Sequence, residues 1–346
     1  MRMLVVSGYP AWEKVPKGLM PSFHLFGVHE LVDHYEPYGD SIRGIFKKEI
    51  LDGGYVDFFL WQSGKQHIAS QVRKLMKKSR EYDVIYDQLN RCSIFLGALK
   101  KVGLFKSNLV TVMHHPPYDI QLAVSDSDAY IFFNENYKLL AAKAEPRKID
   151  HYFVNEWRPD MEWYQKIYEA SDIKSEDTFY IDTGKSRRDR KTLMQAAENT
   201  KIRVDYAGEY NGQDGWARPY EVDLKDDIAM IKRIMKYKAE IIPVAMSRKK
   251  KIGPLGITSF MDCLGLGIPV IASDNVCFAD DIVKNGLGML YKTGDEASLS
   301  SVMKYLMEDV SFYETCRRNI SHYNEKYGNE YSQVFEGILK GIFKIE

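Results

Sequence analysis

Short runs of consecutive apolar residues alternate along this chain with segments whose apolar residues return at helical spacing. Met3–Val6 reads as a buried strand closed by Ser7-Gly8, and a turn-rich stretch with Pro10, Pro16, Gly18 and Pro21 follows. The segment HLFGVHELVDHY, from His24, places Leu25, Val28, Leu31 and Val32 at helical spacing and predicts the first helix. Val56–Trp61, Asp83–Tyr86, Leu109–Met113 and Ala129–Phe133 read as further strands. Between them fall a basic helix over Gln66–Arg80 and another helix around Ile94–Lys101.

The alternation then restarts. Strands are expected at Thr178–Asp182, Arg203–Ala207, Glu240–Val244 and Pro269–Ala272. Helices are expected at Lys191–Glu198, Lys225–Tyr237, Thr258–Leu266 and Ser298–Glu308, and the last stretch reads as one or two amphipathic helices. Strands alternating with helices predict an α/β fold with parallel, doubly wound sheets. The aromatic segment HYFVNEWRPDMEWYQK shows no clear period and is taken as the junction. The expected division is 1–160 for one domain and 172–325 for a second, with a helix at 326–346 packing back on the first. Ligands of open α/β sheets bind beyond the carboxyl ends of the strands, so the loops there are the ones to inspect.

A length of 346 residues suits two domains, and 45% apolar or aromatic residues fill two ordinary cores. Lys+Arg and Asp+Glu both number 48. That balance argues against a dedicated nucleic-acid binder, which needs a basic surplus for phosphate contacts. Cys92, Cys263, Cys277 and Cys316 form no CxxC pair and read as reduced, structural thiols, in keeping with a cytoplasmic location. The apolar run at the start is too short for a signal-peptide core, and none approaches the ~20 residues of a membrane span.

The sharpest chemical signal is IGPLGITSFMDCLGLGIPVIASD, residues 252–274. A glycine-containing loop enters a helix whose expected N-caps are Thr258 or Ser259. Gly256 precedes them. Such a helix start offers free N–H groups and partial positive charge to a diphosphate. Asp262, four residues after Thr258, could accept hydrogen bonds from ribose hydroxyls. Upstream, Asp182-Thr-Gly184-Lys185-Ser-Arg187-Arg188-Asp189-Arg190 follows a strand and supplies cations, of which Lys185 and Arg188 are the candidates for a diphosphate. Arg248, in the run ending at Lys251, is a third. Each of these also reads as an ordinary capped helix or solvated basic loop.

Residues 252–274 resemble the donor-binding signature of GT-B glycosyltransferases, above all the family 4 group. Asp262 matches the second acidic position of that signature, and Gly267, Pro269, Val270, Ala272 and Ser273 match its tail; the first acidic position falls on Pro254. Gly256-Ile-Thr258-Ser259 resembles a Gly-x-Thr-Ser variant of the loop, and residues 182–196 resemble the strand–loop–helix that opens the C-terminal domain. The resemblance implies a GT-B fold, two doubly wound Rossmann-like domains facing a central cleft. It implies transfer of a sugar from a UDP- or GDP-linked donor to an acceptor hydroxyl, with retained configuration, no bound metal and no cofactor. The donor would lie on the second domain, with Thr258 and Ser259 at its diphosphate.

In the first half, His114 and His115 follow a strand, where relatives often carry a histidine near the reacting sugar; they are the catalytic candidates. Gly8 would let backbone approach the donor, and His24 is the acceptor-side candidate. Asp126-Ser-Asp128 looks like a metal motif but matches a strand start in relatives. The expected acceptor is a glycan or lipid-linked glycan in polysaccharide biosynthesis. The Gln66–Arg80 helix makes peripheral membrane association, at the inner face, a candidate as well. Two other classes fit the same residues: a nucleotide-sugar 2-epimerase of GT-B fold, and a non-catalytic nucleotide- or glycan-binding relative.

Overall fold

Met3–Val6 is apolar without alternation because both faces of its strand are covered, the usual state of a parallel sheet. The computed structural model describes residues 1–62, 67–113, 119–172, 180–208, 215–221, 226–245, 254–327 and 330–343. The chain divides into two units, Met1–Trp157 with Asn329–Glu346, and Arg158–Gly328.

Among the described residues, unit 1 holds strands β1 (Arg2–Ser7), β2 (Val32–Tyr38), β3 (Ser41–Phe46), β4 (Tyr55–Leu60), β5 (Val84–Asp87), β6 (Asn108–Val112), β7 (Ala129–Phe132) and β8 (Tyr152–Val154). They form one sheet in the order β2-β3-β4-β1-β5-β6-β7-β8. The β2–β3 and β3–β4 pairings are antiparallel and the rest parallel. Helices α1 (Ile68–Ser79), α2 (Ser93–Lys101) and α3 (Glu135–Ala144) accompany them. Leu75 of α1 and Leu96 of α2 close over Leu4, Ile85 and Leu109 of the sheet, and Phe105 completes that layer.

The helix expected from His24 does not form. The chain makes a 3-10 turn over Ser22–Leu25, a single helical turn over Val28–Leu31, and enters β2 at Val32. The reason lies at Phe26 and Gly27, which take φ of 52° and 87° and so break any helix there. Beyond them, Gly39 has φ 58° in the two-residue loop between the paired residues Tyr38 and Ser41, a hairpin device that suits glycine.

Unit 2 is a six-stranded parallel sheet of β9 (Tyr180–Asp182), β10 (Val204–Ala207), β11 (Ala217–Tyr220), β12 (Ala239–Ile242), β13 (Val270–Ser273) and β14 (Gly288–Tyr291), in the order β11-β10-β9-β12-β13-β14. Its helices are α4 (Met161–Glu169), α5 (Arg190–Thr200), α6 (Asp227–Ile234), α7 (Ile257–Leu266), α8 (Ala279–Asn285), α9 (Glu296–Glu308) and α10 (Val310–Tyr327). Leu193 and Ala196 of α5 pack with Leu299 and Met303 of α9 against Tyr180, Ile241 and Ile271. The Tyr180 hydroxyl is satisfied by the Met303 carbonyl at 2.7 Å.

The segment expected to lack periodicity carries α4. Asp160 caps it by accepting from the Trp163 N–H at 3.1 Å, and Trp163, Tyr164 and Ile167 form a buried stripe. Its aromatic richness hid an ordinary helical period. The last helix, α11 (Glu330–Phe343), belongs to unit 1. Its Phe335 is fully buried, with its ring 5.1 Å from that of Tyr86.

Candidate functional site

Every strand of the unit 2 sheet ends at one edge, and the candidate donor residues gather there. After β9, the loop 183–189 folds along the chain that leaves β12. Asp189 donates its N–H to the Pro243 carbonyl at 2.7 Å, Ala245 donates to the Arg187 carbonyl at 2.9 Å, and Arg188 bridges Val244. Arg187 takes φ 52° to make the turn.

The loop is organised on Asp182, which is fully buried. Its Oδ1 accepts from the Gly184 N–H at 2.9 Å and from Arg188 Nε at 3.3 Å, and its Oδ2 accepts from Arg190 Nη1. Burial pushes the Asp182 carboxyl up, and the Arg190 and Arg188 guanidiniums pull it back. Arg190 also donates to the Ala207 carbonyl at 2.7 Å and lies 4.8 Å over the Tyr206 ring. It fastens the loop to β10. Arg188 lies against Gly184, where a Cβ would fall 1.9 Å from its Nε and push the guanidinium off its place. Its side chain is 5% exposed and reaches Ser259 Oγ at 3.4 Å, whereas Lys185 is exposed.

Ser259 lies in the first turn of α7. The sequence-based expectation that Thr258 or Ser259 caps this helix is corrected: the cap is Gly256, at φ 85°, with no side-chain hydrogen bond. Glycine is required twice over, because a Cβ there would fall 2.5 Å from Ile242. Thr258 is exposed, and Ser259 is buried with its hydroxyl 3.0 Å from that of Thr183. Elsewhere in the unit, α4, α5, α6 and α9 each start with an aspartate that accepts a backbone N–H. In unit 1 the start of α2 is likewise filled by Asp87, which accepts from the Cys92 and Ser93 N–H groups. The start of α7 has no such carboxylate, and its positive end faces the Arg188 loop.

Two further carboxyls lie beneath. Asp262, in the second turn of α7, is 8% exposed, and its Oδ1 accepts from the Tyr164 hydroxyl at 2.6 Å. Burial, and then Glu240, push its pKa well above the ordinary carboxylate range. Glu240 was not among the sequence candidates. It is fully buried on β12, accepts from the Thr183 hydroxyl and, at 3.6 Å, from Cys263 Sγ, and is pushed up to about 7, chiefly by burial. The signal was available: a lone glutamate inside the apolar strand Ala239–Ile242, where a parallel strand is covered on both faces. All four cysteines are buried, and none of them is in a disulfide.

In unit 1, Gly8 follows β1, and a Cβ there would fall 2.5 Å from Leu89 Cδ1. The segment carrying His24 is held over the same sheet edge by Tyr86, whose hydroxyl donates to the Phe26 carbonyl at 2.9 Å, and by Gln88 Nε2, which donates to the Leu25 carbonyl at 2.9 Å. His24 Nδ1 lies 2.8 Å from the Tyr9 hydroxyl, and its ring packs on Phe23 at 4.7 Å. Burial, and then Lys14, lower its pKa to about 4, so the ring is neutral at pH 7. Gly8 and His24 are thus placed at the unit 1 edge, and Lys185, Arg188, Gly256, Thr258, Ser259 and Asp262 at the unit 2 edge. His114, His115 and Arg248 lie outside the described residues.

No family model matches the chain, and no curated protein matches it in sequence. Solved structures do match in three dimensions. HepE of Anabaena, solved in complex with UDP-glucose, superposes with a TM-score of 0.67 at 13% identity, over 100% of both chains. Sucrose-phosphate synthase of Thermosynechococcus elongatus gives 0.70 at 10% identity, again over 100% of both chains. A UDP-N-acetylglucosamine 2-epimerase gives 0.55 at 14% identity, over 92% of this chain and 90% of its own. At these identities the likeness establishes the fold, which is that of the GT-B glycosyltransferases.

Proposed function

We propose that the protein is a glycosyltransferase that binds a nucleoside-diphosphate sugar on unit 2 and passes the sugar to an acceptor hydroxyl. One observation carries the reading: the Thr183–Arg188 loop sets Arg188 against the start of α7, which has no side-chain cap. A diphosphate there meets open N–H groups and the helix dipole. Arg188 is held in place by Asp182 and supplies a fixed positive edge, while Lys185, exposed, can follow the phosphates. The same charges stabilise the nucleoside diphosphate as it leaves. In this reading the counter-charge comes from the chain itself, with no metal or cofactor. Asp262, with Oδ1 taken by Tyr164, offers Oδ2 to a ribose hydroxyl. His114 and His115, which follow β6 in sequence, are the groups assigned to the reacting hydroxyls, and His24 to the acceptor side.

Structures with the same fold that were solved with UDP and UDP-glucose support a uridine nucleotide as the first donor to try. The acceptor class proposed is a glycan or lipid-linked glycan, with retained configuration. A thermal-shift series with UDP, GDP, ADP and their sugar conjugates tests the donor site. A ligand at ~100 times its dissociation constant stabilises the bound fold by roughly 2.7 kcal/mol. The expected result is a shift with one nucleotide family, reduced in Lys185→Ala. No shift with any nucleotide, in a folded protein, sinks the reading. Release of free nucleotide without acceptor, together with isomerised sugar, would assign the site to an epimerase instead.

A further inference from the structure

Opposite the candidate edge, at the amino ends of β1, β5 and β6, unit 1 carries a cleft of about 650 Å³. Its lining includes Arg2, Arg80, Lys106 and a single carboxylate, Asp83. Arg2 neutralises that carboxylate. Its backbone N–H and its Nη2 reach the two Asp83 oxygens at 2.8 and 2.9 Å, and this pairing holds Asp83 below the usual carboxylate range. Arg80 and Lys106 form no ion pair among the described residues, so the cleft carries a surplus of two positive charges.

The charge extends along α1. Arg73, Lys77 and Arg80 lie at i, i+4 and i+7, all exposed, forming one stripe that ends in the cleft. On the opposite rim stands the loop Lys101-Val-Gly-Leu-Phe-Lys106. Val102 and Leu104 are 67% and 65% exposed, although Phe105 between Leu104 and Lys106 is buried in the core. The loop is not loose. Gly103 donates to the Lys100 carbonyl and Leu104 to the Leu99 carbonyl, both at 2.9 Å, and Gly103 takes φ 76°. Two apolar side chains are therefore held out in water by a hydrogen-bonded turn, beside a basic stripe and a cationic cleft. In a chain with 48 charges of each sign, that concentration of cations is local.

We infer that this end of unit 1 docks on an anionic lipid surface: a phosphate headgroup sits in the cleft between Arg80 and Lys106, and Val102 and Leu104 enter the interface. Basic residues near an anionic surface are drawn to it, and an apolar insertion supplies the second anchor that a stable peripheral attachment needs. Charge complementarity selects anionic over zwitterionic lipid. The inference does not depend on the reaction proposed for unit 2.

Co-sedimentation of the full chain with phosphatidylglycerol–phosphatidylcholine vesicles, and with phosphatidylcholine alone, tests it. Partition is expected on the anionic vesicles only, weakening with salt. Each lost charge is worth about fivefold, so Arg80→Ala with Lys106→Ala lowers partition by roughly twentyfold or more. Leu104→Asp, on an exposed side chain, lowers it at unchanged circular dichroism. Lys284→Glu on α8 of unit 2, 73% exposed, leaves it unchanged. Equal binding to both vesicle types, or loss as large with Lys284→Glu as with the Arg80 and Lys106 pair, overturns the docking surface. So does a protein that inorganic phosphate stabilises through Arg80 and Lys106 but that no vesicle retains.

Discussion

The Tyr164 hydroxyl donates to Asp262 at 2.6 Å and thereby ties α4 to α7 inside unit 2. Tyr164 is 1% exposed and Asp262 8% exposed, so water cannot replace this bond. Tyr164→Phe leaves a buried acceptor unsatisfied and should cost about 1–3 kcal/mol in urea unfolding. Gly265→Ala should cost more, because its Cβ would fall 2.2 Å from Tyr164 Cδ2 and push the whole ring out. A Tyr164→Phe protein that unfolds at the wild-type midpoint would show that the bond carries no stability.

Glu240 makes unit 2 sensitive to pH in a direction that can be worked out. Its ordinary value is 4.5, and burial pushes it to about 7 in the folded chain. Between those values the folded state keeps a proton that the unfolded state has lost, so stability falls as pH rises through this window. The full span is worth roughly 3 kcal/mol. Glu240→Gln cannot ionise, so its unfolding free energy should decline less between pH 4.5 and pH 7.5 than that of the wild type. Parallel curves for the two proteins would mean that Glu240 ionises freely in the folded state.

The buried parallel strands β1, β4 to β7, β9, β10, β12 and β13 were legible because they are written as short apolar runs, whereas the largely exposed antiparallel β2 and β3 and the short β8, β11 and β14 carry no such run and were not read. The loop after Asp182 and the start of α7 were legible too, since glycines, cations and a following helix stand in chain order. What failed did so for tertiary reasons. Leu25, Val28, Leu31 and Val32 have helical spacing, yet Phe335 from the far end of the chain packs on Gly27, and the backbone turns there instead. Arg190 read as one more cation of the basic loop after Asp182, while in the structure it is the clamp between Asp182 and the Ala207 carbonyl. Glu240 was overlooked because its partners, Thr183 and Cys263, come from distant parts of the sequence.

His24 gives unit 1 the opposite pH response. Its value drops from 6.5 to about 4 on folding, through burial and then Lys14. Below 6.5 the unfolded state takes up a proton that the folded ring refuses, so stability is lost as pH falls through this range, by roughly 3 kcal/mol at most. His24→Gln should flatten that acid limb while leaving the neutral-pH nucleotide shift of unit 2 in place. The fluorescence of Trp12, Trp61 and Trp157, all in unit 1, offers a local readout once Trp163 and Trp216 are replaced by Phe. An acid limb unchanged by the substitution would place the proton uptake on another group.

Phe335 tests whether the last helix is part of the unit 1 core. It is fully buried, with Ile338 and Leu339 of the same helix at 5% and 2% exposure. Its ring lies 5.1 Å from that of Tyr86, whose hydroxyl holds the Phe26 carbonyl. Removing the ring opens a cavity beneath the segment that carries His24, and large-to-small changes of this kind cost about 3–5 kcal/mol. Gly27→Ala attacks the same contact from the other side, with a Cβ 2.8 Å from the Phe335 ring and a backbone φ of 87° that alanine resists. Hydrogen exchange should show Phe335→Ala lowering protection in β1 and β5 while β9 and β12 keep theirs. Equal loss in both sheets would mean that the helix stabilises the chain as a whole rather than unit 1, and the His24 segment would need another support.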